Sequence, residues 1–486
     1  MMRGLAWLGI GVTWACNVPL ERFFGADAGA DATLDASPSG GLAQQAYGKA
    51  SNTGAGDSFG HSVALSADGS TLAVGAFHEA SSGVSQANNA AMYAGAVYVF
   101  TRSGQAWSQQ AYVKASNAEA DDLFGDSVAL SADGDTLAIG ASSEDSLRTP
   151  DDNAAPAAGA AYVFIRSGTT WTQDAYLKAS NAGPEDNFGR SIALSADGTT
   201  LAVGANGEDS GGNPGDDSAQ DAGAAYVFTR TGASWNQQAY IKPSSAIAFD
   251  QFGTSVALSA DGSILAVGAS SEASPVTNVG KAYVFTRTDT TWSERFKLLS
   301  RSSEASGAFG NSVALSGDGA TLAVGASRED STTVAAMPTA AGAVYVFTGR
   351  GASWTLQADL EALRPGAGDN FGHSVALSAD GSSLAVGAVS EDGATTGVDG
   401  DQTDDAAADA GAVYLLTRSG ATWSQHAYVK ASNTGPGDNF GHSVALSADG
   451  SILAAGASAE DSDATGINGD QASNAAENAG AVYLFR

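Results

Sequence analysis

Phe124-Gly125-Asp126-Ser127-Val128-Ala129-Leu130-Ser131-Ala132-Asp133-Gly134-Asp135-Thr136-Leu137-Ala138-Ile139-Gly140 is the stretch that decides the fold. Two short apolar runs, Ser127 to Ser131 and Thr136 to Gly140, flank Ala132-Asp133-Gly134-Asp135, which reads as a tight Asp-Gly hairpin turn. Further on, Ala160-Ala161-Tyr162-Val163-Phe164-Ile165-Arg166 predicts a third strand. Ser167-Gly168 then turns the chain into a fourth, Trp171 to Ala179. The unit is four short antiparallel strands.

This unit recurs seven times. Phe-Gly begins at Phe59, Phe124, Phe188, Phe252, Phe309, Phe371 and Phe440. Sixteen residues after each Phe comes Gly-Ala, at Gly75, Gly140, Gly204, Gly268, Gly325, Gly387 and Gly456. A third marker, Gly-(Ala or Lys)-(Val or Ala)-Tyr, starts at Gly95, Gly159, Gly223, Gly280, Gly342, Gly411 and Gly480, always 29 residues before the next Phe. Only the interval between the second and third markers varies: 20, 19, 19, 12, 17, 24 and 24 residues in order. Insertions confined to one place imply one exposed loop per unit on a fixed frame. Four-stranded units repeated around a ring make an all-β, seven-bladed β-propeller. Leu42 to Tyr47 matches the fourth strand at Trp107 to Tyr112, whereas Tyr483-Leu484-Phe485-Arg486 follows a third strand. An N-terminal strand is therefore expected to complete blade seven and close the ring.

Composition narrows the function. The 486 residues carry 53 acids against 22 bases, a net charge of −31, which argues against nucleic acid because phosphate binding needs clustered Lys and Arg. The one cysteine, Cys16, allows no intramolecular disulfide. It follows an apolar stretch, Gly4 to Ala15, of signal-peptide length. Residues 1–16 read as an export signal of lipoprotein type with Cys16 as the lipidation site, 17–41 as a flexible tether and 42–486 as the propeller. The expected setting is the cell surface or outer membrane, with membrane contact only through a lipid anchor, or else secretion. No phosphate loop or His-Glu-x-x-His motif occurs.

The units resemble FG-GAP repeats, found in the headpiece of integrin α subunits and in bacterial surface proteins, and the resemblance covers residues 42–486. Two features depart from it. The Pro after Gly-Ala is replaced by Phe77, Ser142, Asn206, Ser270, Ser327, Val389 and Ser458. The calcium loop that the resemblance implies between the first two strands has shrunk to a turn with a single acid: Asp68, Asp133, Asp197, Asp261, Asp318, Asp380 or Asp449. One carboxylate cannot supply the oxygen shell calcium takes, so the family's calcium site does not carry over.

Several positions could bear function. A Glu follows every Gly-Ala (Glu79, Glu144, Glu208, Glu272, Glu329, Glu391, Glu460) and is expected to accept backbone N–H bonds at the loop base. Six Asp two residues before Phe (Asp57, Asp122, Asp186, Asp250, Asp369, Asp438) are expected as turn acceptors. After Phe-Gly stand His61, Asp126, Arg190, Thr254, Asn311, His373 and His442. The three histidines fall on contiguous blades and are either a zinc-type trio or a mark of similar blades. Trp107, Trp171, Trp235, Trp292, Trp354 and Trp423 are expected to pack outer strands. Acids gather on the variable-loop face and Arg102, Arg166, Arg230, Arg287 and Arg418 near the opposite one, which predicts a polarised disc. The long loops of blades six and seven share Thr396-Gly397-Val398-Asp399-Gly400-Asp401-Gln402 and Thr465-Gly466-Ile467-Asn468-Gly469-Asp470-Gln471. They make Asp399, Asp401, Asp404, Asp405, Asn468 and Asp470 the candidate ligand contacts, with Asp399, Asp401 and Asp470 as candidates for weak calcium binding. The reading is a monomeric, non-enzymatic surface module that recognises a protein or glycan. The alternatives are an enzyme with a polar or metal site at the channel mouth, or a structural envelope component.

Overall fold

The computed structural model describes residues 41–486 apart from 84, 87, 151, 271–279, 302–306, 332–337 and 352. Cys16 and the leader therefore lie outside the described residues, as does Glu272.

The Phe124 unit forms four strands: Phe124–Leu130 (inner), Thr136–Ala141 (second), Ala160–Ser167 (third) and Thr170–Leu177 (outer). Six such sheets follow chain order. In the seventh, Phe440–Leu446, Leu453–Ala457 and Ala481–Phe485 take Gln44–Gly48 as their outer strand, with Tyr47 opposite Tyr483. No helix occurs among the described residues.

The blades stick together through apolar faces. The second strands are almost wholly buried, as Thr-Leu-Ala-Ile-Gly-Ala illustrates in blade two. Small Ala and larger Leu, Val or Ile alternate, so both faces of the sheet meet neighbours without a polar side. Each hydrophobic cluster spans two blades: one joins Phe59, Leu72, Val74 and Tyr98 of blade one to Ile452, Ala454, Val482 and Leu484 of blade seven. The Phe of every Phe-Gly meets the Tyr of the third strand edge-on at 5.2–5.4 Å.

Two rings of hydrogen bonds tie the inner strands around the axis. On the Asp-Gly turn side, Ala67 N donates to Ala132 O, and Ala132, Ala196, Ala260, Gly317 and Ala379 each donate to the next blade. Ala448 N closes the circle on Ala67 O, all at 2.8–2.9 Å. Higher up, the Ser after Phe-Gly-x donates to the neighbouring Phe-Gly carbonyl, from Ser62 to Gly125 round to Ser443 to Gly60. The Asp of each Asp-Gly turn serves the turn itself: Asp133 Oδ1 accepts Ser131 Oγ at 2.5 Å and Asp135 N at 2.9 Å.

The outer strands are fastened by the repeated Trp. Trp107, Trp354 and Trp423 are buried, and Trp171, Trp235, Trp292 and Trp423 donate Nε1–H to a Gln or Asp on the preceding blade. Arg102, Arg166, Arg287 and Arg418 lie over the Trp of their own blade at 5.6–5.9 Å.

Candidate functional site

The repeated Glu is a structural hub. Glu79 accepts Ser81 N at 3.1 Å, as expected at the loop base, and also Asn52 Nδ2, Tyr112 Oη and Lys114 Nζ. Buried Lys–Glu pairs recur as Lys114–Glu79, Lys178–Glu144, Lys242–Glu208, Lys430–Glu391 and Lys49–Glu460, at 2.7–3.2 Å. The lysine lies seven residues after the outer-strand Trp, at Lys114, Lys178, Lys242 and Lys430. That spacing was readable, but only the fold shows that it meets the Glu.

Beside the five Lys–Glu hubs sits an Asp two residues before Phe, a position that Gly307 takes in blade five. Gly54 N donates to Asp57 and Glu119 N to Asp122, and Asp186, Asp369 and Asp438 accept the same turn bond. Burial pushes these five carboxyls up to about 7, opposed by the turn N–H and reinforced by the nearby Glu. At Asp57, Lys49 and Lys114 pull the other way. A raised acid pKa means the folded chain keeps a proton that the unfolded chain releases near pH 4, so stability falls as pH climbs from about 4 to about 7. The unfolding midpoint is expected to be higher at pH 5.5 than at pH 8, with Asp→Asn at these five positions flattening the difference. A midpoint that drops on acidification to pH 5.5 would contradict this assignment.

At the axial mouth on the variable-loop side, the residues after Phe-Gly meet each other. Asn311 Nδ2 donates to His373 O, and the His373 ring lies 5.0 Å from that of His442. His442 lies 4.6 Å from His61, and its Nδ1 is 3.2 Å from His61 O. His61 Nε2 is 3.1 Å from Asp126 Oδ1, which Arg190 also engages at 2.8 Å. Burial alone would raise the Asp126 carboxyl, but Arg190 and His61 outweigh it and hold it well below the usual range. Burial, followed by the neighbouring imidazoles, lowers His373 to about 4 and His442 well below its ordinary value, so both are neutral at pH 7. The three histidines sit ring against ring in a row. Among the described residues no group of three or more His, Cys, Asp or Glu is placed to hold a metal ion.

From His61 the row of rings continues outward over blade one: Phe77 at 3.9 Å, then His78 at 3.7 Å, then Tyr93 at 4.5 Å. A cleft of about 520 Å³ opens there, lined by Asp57, His78, Asn89, Met92, Tyr93 and Asn478 among others. Sequence reading noted Phe77 only as a departure from the repeat and missed His78, Met92 and Tyr93. The available signal was that blade one carries large residues where its sister blades carry small or polar ones.

The candidate residues on the long loops of blades six and seven do a different job. Asp399 N donates to Tyr428 O at 2.7 Å, and its carboxylate accepts Tyr428 N at 3.1 Å. Asn468 repeats both bonds with Tyr47, at 2.7 and 2.9 Å. Bridges Val398–Val429 and Gly48–Ile467 show each loop laid along its own outer strand, which shields that edge. Asp399 and Asn468 are thus engaged with backbone. Asp401 caps Thr403, Asp404 accepts Ala406 N and Asp470 accepts Ala472 N, all on exposed turns. Asp405 is exposed. The structure does not gather Asp399, Asp401 and Asp470 into one metal-holding group.

These features define a seven-bladed propeller whose sevenfold frame is uniform and whose axial mouth and blade-one rim are not. The FG-GAP repeat model matches residues 43–100, 107–164, 171–228, 235–285, 292–347, 354–416 and 423–485, and the chain belongs to that family. Among solved structures, Kuenenia stuttgartiensis hydrazine synthase is similar in fold: 15% identity and a TM-score of 0.50, covering 82% of this chain and 92% of that one. The comparison with curated proteins gives no match.

Proposed function

We propose that this chain is a non-catalytic recognition module, exported through its leader, held at the cell surface by a lipid on Cys16, and binding a protein or glycan through the variable-loop face. The observation that carries the reading is the concentration of unlike residues on that face, at the mouth and over blade one, against a frame that repeats faithfully everywhere else. In a repeat protein the frame residues answer to stability, whereas the position that breaks the repeat is free to answer to a ligand.

Because Cys16 is the only cysteine, a Cys16→Ser chain offers a clean background for site-directed labelling. Cys16→Ser should itself move the protein from the membrane fraction to the soluble one. In that background, Asn89→Cys on the variable-loop side and Ser103→Cys on the opposite side each receive a bulky polyethylene-glycol maleimide. Both parent residues are exposed. Binding is then read on an array of immobilised oligosaccharides and secreted proteins. Blocking at 89 should abolish binding while blocking at 103 leaves it intact; the reverse pattern, or a parent chain that binds nothing, would overturn the reading.

A further inference from the structure

The cleft over blade one has the chemistry of a small-ligand site, and its most unusual residue is held there against the backbone's preference. Tyr93 has φ 59°, a left-handed conformation that bulky side chains rarely adopt. At the same point of other blades stand Ala157, Asp221, Ala340, Asp409 and Asn478, all with positive φ but small or suited to it. Tyr93 is nevertheless 39% exposed, and its neighbour Met92 is 62% exposed. Exposed apolar surface and backbone strain at the same place serve no purpose in packing. His78, whose ring lies 4.5 Å from that of Tyr93, stands where other blades carry Ser143, Gly207, Arg328, Ser390 and Ala459.

We infer that this cleft binds a neutral saccharide, a deepening that rests on the recognition reading above. The exposed Tyr93 ring, backed by His78, offers a flat face to the C–H side of a sugar ring. Asn89, Asn478, Ser58 and Ser458 offer paired donors and acceptors to its hydroxyls. No Lys or Arg lines the cleft, and the chain carries −31, so an anionic sugar would find no counter-charge. A volume of about 520 Å³ falls within the range of small-ligand clefts, ~300–1,000 Å³. A protein partner would instead need a face of roughly 800 Å².

The test is isothermal titration of the full chain with short malto-, cello-, xylo- and chito-oligosaccharides, alongside sulfated and sialylated ones. Two variants accompany it. Tyr93→Ala takes the residue that blade two has at Ala157. The second, F77S/H78S/M92P/Y93A, gives blade one the residues Ser142, Ser143, Pro156 and Ala157 of blade two, which fold in the same frame. Saturable binding to at least one neutral oligosaccharide is expected, weakened about tenfold or more by Tyr93→Ala, as for a buried aromatic anchor, and lost in the fourfold variant with its melting temperature retained. The inference is overturned if no neutral saccharide binds, if only the acidic ones do, or if both variants bind as tightly as the parent. If the chain binds proteins on the same array through the face blocked at Asn89 but no neutral sugar, this inference fails and the recognition reading stands. If it binds nothing there, both fall.

Discussion

Replacing Lys49 with Met is expected to lower the unfolding free energy by about 3–5 kcal/mol, the cost of removing one partner from a buried ion pair. Lys49 is fully buried, and its Nζ lies 2.7 Å from Glu460 Oε2, itself 1% exposed. Without the ammonium, Glu460 retains Tyr47 Oη at 2.9 Å and Asn433 Nδ2 at 2.7 Å but has no cation to offset its buried charge. The effect should exceed that of the equivalent Lys178→Met in blade two. There the outer strand is joined to its neighbour by a short Ser167–Thr170 turn, whereas Gln44–Gly48 reaches blade seven from the far end of the chain. Adding Glu460→Gln should restore part of the loss, because a neutral amide is cheaper to leave unpaired than a carboxylate. Urea unfolding of the single and double variants checks this. A single variant within about 0.5 kcal/mol of the parent would show that the pair contributes little.

The second large effect is expected at Gly140. A Cβ built there would run into the Gly189 carbonyl of the next blade and the Ser127 hydroxyl. Both belong to the inner ring of serine bonds, and the carbonyl is backbone that cannot swing aside. Gly140→Ala should therefore destabilise by about 3 kcal/mol, the upper end of overpacking, through widened blade spacing rather than lost helix or strand propensity. Gly212→Ala serves as the control, since nothing lies within 4 Å of its added Cβ. It should stay within about 0.5 kcal/mol of the parent. Equal thermal midpoints for the two variants would contradict the view that the Gly of Gly-Ala sets how closely blades approach.

Much of the fold was legible because a repeat states its own boundaries. Fixed spacings between Phe-Gly, Gly-Ala and Gly-Ala-Val-Tyr can persist only where strands of constant length pack on neighbours, and the variable interval marks where they do not. The Asp-Gly turns and the outer-strand Trp kept their expected roles for the same reason: their partners are local or lie one blade away. The candidate site was harder to read. Asp399 and Asn468 looked like ligand groups because their loops are long and Gly-rich, but the loops fold back on Tyr428 and Tyr47, contacts 29 and 421 residues apart in sequence. Their length follows the edge they cover. The blade-one cleft escaped notice because it is assembled from single departures from the repeat, Phe77-His78 on one side of a loop and Met92-Tyr93 on the other. Only folding brings these together with the imidazoles of blades six and seven.

The mouth and the blade-one cleft both require a closed ring, because an open one would separate blade seven from blade one. Native-state hydrogen exchange reads closure residue by residue. The amides to follow are Tyr47, bonded to Asn468 Oδ1 in the outer strand of blade seven, Ala448, which completes the axial circle on Ala67 O, and Ala132, well inside the ring. In a closed ring all three exchange only through global unfolding, at matching rates and with the same response to denaturant. Fast exchange at Tyr47 and Ala448 beside slow exchange at Ala132 would mean that the ring stands open between blades seven and one.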